Sequence, residues 1–371
     1  MKEPIRLGIL GCGVITQRTM QALLALLEEF DGRIVGTCDP NDANVAAIEG
    51  MAAGHAPQRF ADLEAMASAA NTIVVATPIR MHFEHVQAAL NADCHVYTHK
   101  TLAATAAECL ELGGLAGRGK QKLVCSPGQL LLPAYRRALA IIESGELGEI
   151  VSVDAAAEAS PHRYEVERAD ENPTAGQPYS WEWYHRQDRG GGPVDDMFVY
   201  PLAFLVPAFG RASAAAVNSR LIEAVIEWRG RTIEADAPDV YSGYMQFGSV
   251  ISTVRTSFSS NTSRVAWGAI AIRGSRACLE IDKRNDLEYR LYVTPNGKGP
   301  RVEECNVFDP ADAARFGRAE CHVIRDMREL FEAIRDDRAV EVATPENAAA
   351  VADAISLLKK SAAAGGNLIT A

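Results

Sequence analysis

Apolar positions in the first third of the chain follow two rhythms. Short unbroken runs at residues 5–10 (IRLGIL), 33–39 (RIVGTCD), 71–78 (NTIVVATP), 94–99 (CHVYTH) and 122–127 (KLVCSP) alternate with helical spacing at 16–30, 42–51, 83–90 and 103–115. In 16–30 the apolar stripe is Met20, Leu23, Leu24, Leu26 and Leu27. Unbroken apolar runs predict strands buried on both faces, and their alternation with amphipathic helices predicts a parallel sheet covered on both sides.

Beyond about residue 130 the rhythm changes. A helix over 133–144 ends at Gly145, and long strand-like runs follow at 149–159, 214–225, 240–248, 250–259, 265–274, 277–282 and 288–293. Several are joined by short turns such as Gly248-Ser249 and Gly274-Ser275, which favour antiparallel pairing. Helices over 318–336 and 345–363 close the chain. The expected fold is an α/β domain over 1–128, with a doubly wound parallel sheet. An α+β domain over 129–371 follows, with an open, mostly antiparallel sheet and terminal helices able to pack back on the first domain. The polar segment 161–180 predicts a long loop, a common home for functional or interface residues.

Composition narrows the function. A length of 371 residues suits about two domains. No apolar run nears the ~20 residues of a membrane span, and the start MKEPIRLGILGCG passes directly into a glycine turn, unlike a secretion signal. The eight cysteines are scattered without a C-x-x-C pair, so neither a zinc site nor a disulfide framework is expected, and the compartment reads as reducing and cytoplasmic. A net charge of −11 argues against nucleic acid as partner.

The first strand runs into Gly11-Cys12-Gly13-Val14-Ile15-Thr16, which opens the first helix. Glycines there permit a tight turn and close approach of a pyrophosphate to the helix N-terminus, although Thr16 replaces the third glycine of the dinucleotide fingerprint. The second strand ends in Asp39, 26 residues beyond Gly13, where a carboxylate accepts the adenosine ribose hydroxyls and repels a 2′-phosphate. NAD is the expected cofactor, with NADP the alternative. Thr77 and Pro78 end a central strand, where open α/β sheets bind ligands, and His82 follows in the next turn. All three are candidate cofactor contacts.

These residues, in this order, resemble the glucose-fructose oxidoreductase/inositol dehydrogenase (Gfo/Idh/MocA) family: G-C-G-x-I, a strand-end Asp, A-T-P-x-x-x-H-x-E, then a strand ending in a Lys tripeptide. The likeness continues through Gly145–Ile150 and through 190–200, GGGPVDDMFVY, against the family's G-G-G-x-x-x-D-x-G-x-H. It implies a Rossmann domain, an open-faced sheet domain, an active site between them, and oxidation or reduction of sugars and polyols with a nicotinamide cofactor. Departures accompany the matches. The family's Glu-Lys-Pro is His99-Lys100-Thr101, the Asn after Thr-Pro is Ile79, and the final His is Tyr200.

The resemblance assigns the chemistry to Lys100, Tyr200 and Asp196. Lys100 would bond the reacting oxygen, and its charge would favour alkoxide. Tyr200 would serve as acid/base, a nearby ammonium lowering its pKa from the usual ~10. Asp196, four residues earlier, would share a helical face with it and bond a substrate hydroxyl or orient Lys100. His99 would lie near the nicotinamide ribose in place of glutamate. Family members often hold the Lys-Pro bond cis, but before Thr101 a cis bond would cost about 3–4 kcal/mol, so a trans bond is expected. Trp181, Trp183, Tyr184, His185 and Arg186 precede the glycines and suit a sugar ring, while His162 and Arg163 are candidates for an acidic substrate group. The expectation is an NAD-dependent oxidoreductase acting on a sugar, sugar acid or cyclitol, a homodimer or homotetramer through its open sheet. The alternatives are a dinucleotide-binding sensor or corepressor, and an enzyme whose tightly held NAD drives redox-neutral elimination or glycoside cleavage.

Overall fold

The computed structural model of the chain describes residues 4–158, 185–187, 190–228, 231–259, 266–285, 287–317 and 321–371. Two compact units emerge: Met1–Gly128 with Phe308–Ala349, and Gln129–Val307 with Ala350–Ala371.

The first unit is built on six parallel strands, β1 (Arg6–Leu10), β2 (Arg33–Cys38), β3 (Gln58–Arg59), β4 (Thr72–Val75), β5 (His95–Thr98) and β6 (Leu123–Cys125). Their order is β3-β2-β1-β4-β5-β6. Leu7, Ile9, Ile73, Val75 and Val96 are fully buried, as their unbroken apolar runs require. The helices between strands are α1 (Val14–Glu29), α2 (Asp42–Met51), α3 (Leu63–Ala67), α4 (His82–Asn91) and α5 (Ala106–Arg118). α5 begins later than its apolar spacing suggested because Thr105 and Glu108 form a reciprocal capping box, with bonds of 3.2 and 3.0 Å. Strand order reverses between β1 and β4. Dinucleotides bind at this switch point in doubly wound sheets, outside the strands' carboxyl ends.

The second unit opens with α6 (Pro133–Glu143). Its main sheet contains β7 (Ile150–Glu158), β8 (Ala212–Arg220), β11 (Val240–Phe247), β12 (Val250–Ser257), β13 (Ala266–Gly274), β14 (Ala277–Lys283), β15 (Tyr289–Pro295), β16 (Arg301–Glu304) and β17 (Ile369–Thr370). The order is β16-β15-β14-β13-β7-β12-β11-β8-β17, antiparallel except where β7 runs parallel to β12. Val153, Met245, Val254, Ile272, Leu279 and Leu291 fill the inner face, against α6 and α7 (Val199–Phe209). The outer face carries Tyr244, Thr253, Asp154, Glu280 and Tyr292 in cross-strand register, with Ile251 exposed beside them.

The long strand expected over 214–225 breaks in two. Buried Asp239 accepts the Ile222 and Glu223 N–H groups at 2.8 and 2.9 Å, which turns the chain out of the ladder. β9 (Val225–Trp228) then pairs with β10 (Arg231–Glu234) as a separate ribbon. Three helices follow the sheet: α8 (Pro310–Phe316), α9 (Cys321–Asp336), which packs on β5 and β6, and α10 (Pro345–Ala363).

Candidate active site

The glycine turn is shaped from both sides. Gly11 has φ +95°, and a Cβ there would lie 2.7 Å from the Ala76 carbonyl carbon and oxygen, so only glycine fits. Thr16 Oγ1 donates to Gly11 O at 2.7 Å and Gln17 Nε2 donates to Cys12 O at 2.8 Å. The turn's carbonyls are thus tied inward by buried side chains, which explains why Thr16 can stand where a third glycine was expected. No side chain caps α1 and no acidic residue occupies its first turn, so the first N–H groups keep their capacity for an anion. Among the described residues, nothing lies within 4 Å of where a Gly13 Cβ would be. An open cradle over uncapped N–H groups fits a pyrophosphate.

Asp39 follows β2. Its Oδ2 accepts the Cys12 N–H at 2.7 Å and its Oδ1 accepts the Asn41 N–H at 2.8 Å, which fixes the carboxylate beside the glycine turn. Each oxygen keeps a lone pair for a ribose hydroxyl. Cys12 is no nucleophile: burial, then the Asp39 charge, push its thiol pKa up to about 12.

The Lys100 segment leaves β5 beside β4. The His99 N–H donates to Val75 O at 3.1 Å, and the Ser126 N–H donates to Thr98 O at 3.0 Å. Lys100 is half-buried. The His99 ring stands edge-on to Tyr97, 5.2 Å between centroids, with its Nε2 buried and without a hydrogen-bond partner among the described residues. Burial, with His82, His322 and Lys100 adding to it, lowers the His99 pKa to about 3, so the ring is neutral.

The Lys100–Thr101 bond is cis, contrary to the trans bond expected from the dipeptide. The chain beyond the bond is held by its surroundings. Leu102 and Ala103 are buried, and the Thr101 carbonyl lies 2.6 Å from Nδ1 of buried His82.

His82 itself is 1% exposed and its Nε2 is 2.7 Å from Thr77 O, so it offers no free ring nitrogen to a ligand. Thr77 Oγ1 is 2.9 Å from His85 Nδ1, and Pro78 leads into the turn Ile79–Met81.

In the second unit, Asp195 and Asp196 sit on a π-type turn, Val194–Phe198, that runs into α7. Such wide turns recur at functional sites. Asp195 pairs with Lys359 of α10. Tyr200, in the first turn of α7, is 7% exposed, and its carbonyl accepts Gln129 Nε2 at 3.4 Å. Gly268 (φ +84°) packs close by, its would-be Cβ 3.8 Å from Tyr200 Cβ.

His185 is 4% exposed with its ring against Phe258, 6.0 Å between centroids, and its carbonyl accepts the Asp236 and Ala237 N–H groups at 3.0 Å. Arg186 pairs with Asp236 at 3.0 Å. Both of these expected substrate residues also make local contacts within the second unit. His162, Arg163, Trp181, Trp183 and Tyr184 lie outside the described residues. Gln129, Lys359 and Asp326 are lone polar residues and carry no spacing signal in the sequence.

Residues 5–127 match the model described as oxidoreductase family, NAD-binding Rossmann fold, and residues 135–280 match the Gfo/Idh/MocA C-terminal domain. The chain belongs to the Gfo/Idh/MocA oxidoreductase family. Among curated relatives, the chain is 28% identical over 204 residues to dTDP-3,4-didehydro-2,6-dideoxy-alpha-D-glucose 3-reductase of Saccharopolyspora spinosa, covering 54% of this chain and 55% of that protein. It is 22% identical over 231 residues to D-glucoside 3-dehydrogenase of Escherichia coli (strain K12), covering 60% and 59%. The chain thus matches over little more than half the length of these relatives. Levoglucosan dehydrogenase in complex with NADH and levoglucosan has the same fold at 17% identity, TM-score 0.78, covering 99% of both chains. Among the described residues, no helix is long and apolar enough to cross a membrane, and no cluster of three or more His, Cys, Asp or Glu could hold a metal ion.

Proposed function

We propose that this chain is an NAD-dependent dehydrogenase or reductase of a secondary alcohol on a sugar ring, and that the reacting carbon is C3 of a pyranose. The observation that carries the reading is the position of Lys100. It stands two residues beyond β5, on the carboxyl edge of the same sheet whose first strand ends in the open glycine cradle. Support for C3 comes from the relatives, since the Saccharopolyspora reductase and the Escherichia coli dehydrogenase both bear that position in their names.

The glycine turn and first α1 N–H groups would hold the pyrophosphate, and Asp39 the adenosine ribose. The Asp39 negative charge disfavours a 2′-phosphate and so favours NAD over NADP. When bound, the nicotinamide supplies or accepts the hydride. Lys100 donates to the reacting oxygen and steadies its negative charge as a proton leaves. Tyr200 takes that proton in oxidation and returns it in reduction, and Asp196 accepts from a neighbouring substrate hydroxyl. The outer sheet face, with Tyr244, Ile251 and Val302 exposed, is the surface through which two copies associate into a homodimer or homotetramer.

A panel of glucosides, nucleotide-linked sugars, sugar acids and polyols, each with NAD and with NADP, tests this at 340 nm, with product NMR locating the carbonyl. A 3-oxo pyranoside formed with NAD is the expected product. Bound NAD that never yields NADH, on any member, would sink the dehydrogenase reading.

A further inference from the structure

The peptide that carries Lys100 has two ends to fix. On its N-terminal side the sheet does so, through the His99 N–H on Val75 O. On its C-terminal side the Thr101 carbonyl lies 2.6 Å from His82 Nδ1. The other ring nitrogen of His82 lies 2.7 Å from Thr77 O, so one buried ring spans the end of β4 and the peptide after Lys100. Carbonyl oxygens only accept, and a neutral imidazole carries one N–H. Burial lowers the pKa of the ring. The Thr101 and Thr77 carbonyls pull the other way, and His85 and Lys100 add to the lowering. At neutral pH the ring therefore has one proton to place between two acceptors.

We propose that His82 is the positioning residue for Lys100: its Nδ1 carries the resident proton and donates to the Thr101 carbonyl, pinning the peptide after Lys100 to the carboxyl edge of the sheet. This rests on Lys100 acting at the reacting oxygen. The choice of Nδ1 follows the shorter contact. A displacement of about 1 Å at a reacting group costs on the order of a hundredfold in rate, so a ring that touches neither substrate nor cofactor can still govern turnover.

Two near-isosteres separate the two contacts. His82→Asn places an amide nitrogen near Nδ1 and keeps the donor to Thr101. His82→Gln places one near Nε2 and supplies a donor to Thr77 in place of the one to Thr101. Reductive methylation of Lys100 by formaldehyde, followed by mass spectrometry, should change in rate at least ~3-fold in His82→Gln and less than that in His82→Asn. With a substrate in hand, kcat should fall about tenfold or more in His82→Gln, with KM and the NADH dissociation constant within about threefold, and by a smaller factor in His82→Asn. Equal responses, or the reverse order, overturn the proposal. In 15N-histidine-labelled wild-type protein the His82 Nδ1 must resonate as a protonated nitrogen, and a bare Nδ1 overturns it even if both variants fail to fold. The methylation and NMR measurements need no turnover, so they decide the role of His82 even if no sugar proves to be a substrate.

Discussion

The roles proposed for Lys100 and Asp39 follow from their places at strand ends. Lys100→Met removes the ammonium while keeping the length of the side chain. Turnover should drop roughly a hundred- to ten-thousandfold while NAD affinity, measured by fluorescence titration, stays within a few fold. A Lys100→Met/Tyr200→Phe double variant should lose far less than the product of the single losses if the two groups serve one proton transfer. For Asp39, the expected change is one of preference. Asp39→Asn keeps an acceptor for the Cys12 N–H but removes the charge. The NADP-to-NAD ratio of kcat/KM should rise about tenfold or more, in keeping with the ~1.5–3 kcal/mol of a hydrogen bond to a charged group. Unchanged preference would place cofactor choice elsewhere.

At the scale of elements, the two glycines of the first turn differ in what they are for. A Gly11 Cβ would collide with backbone at a positive φ, whereas a Gly13 Cβ would meet nothing within 4 Å among the described residues. Gly11→Ala should therefore cost about 1–3 kcal/mol of stability, a drop of several degrees in Tm. Gly13→Ala should leave Tm within about a degree and weaken NADH binding about tenfold, because its methyl group intrudes only on the ligand's space. Calorimetry beside a binding titration separates the two. A loss of stability in Gly13→Ala without loss of affinity would contradict the cradle assignment. The same scale explains what the sequence showed of α5. Its apolar stripe was visible, but its start was set by the Thr105–Glu108 box rather than by the stripe.

For the whole molecule, pH is the informative variable. Asp326 of α9 is fully buried, and Gly128 N–H donates to its Oδ1 at 3.0 Å. Burial raises its pKa to about 7, Glu329 adding to the shift and the Gly128 N–H and Ser126 hydroxyl opposing it. The folded chain thus holds a proton that the unfolded chain releases near pH 4. Stability falls as pH rises from about 4 to about 7, by on the order of 4 kcal/mol. Asp326→Asn mimics the protonated acid, so it should raise Tm at pH 8 and leave it nearly unchanged at pH 4.5, as read by calorimetry at both pH values. On the outer sheet, Ile251→Asp should shift assembly toward monomer in light scattering. A monomeric wild type would end that part of the proposal.

Local pattern was enough for the parallel sheet, the glycine turn and the strand-end positions of Asp39 and Lys100, because buried strands and tight turns tolerate few residue types. Most strands of the open sheet were legible too, but the short strands β10, β16 and β17 were not, nor was the break at Leu221, which depends on the distant carboxylate of Asp239. Only tertiary structure decided that the Lys100–Thr101 bond is cis, that both ring nitrogens of His82 face carbonyls, and that His185 packs on Phe258 while Arg186 pairs with Asp236. Periodicity and turn chemistry are properties of neighbours in the chain. The partner of a single polar side chain is a property of neighbours in space, and nothing in its own segment encodes it.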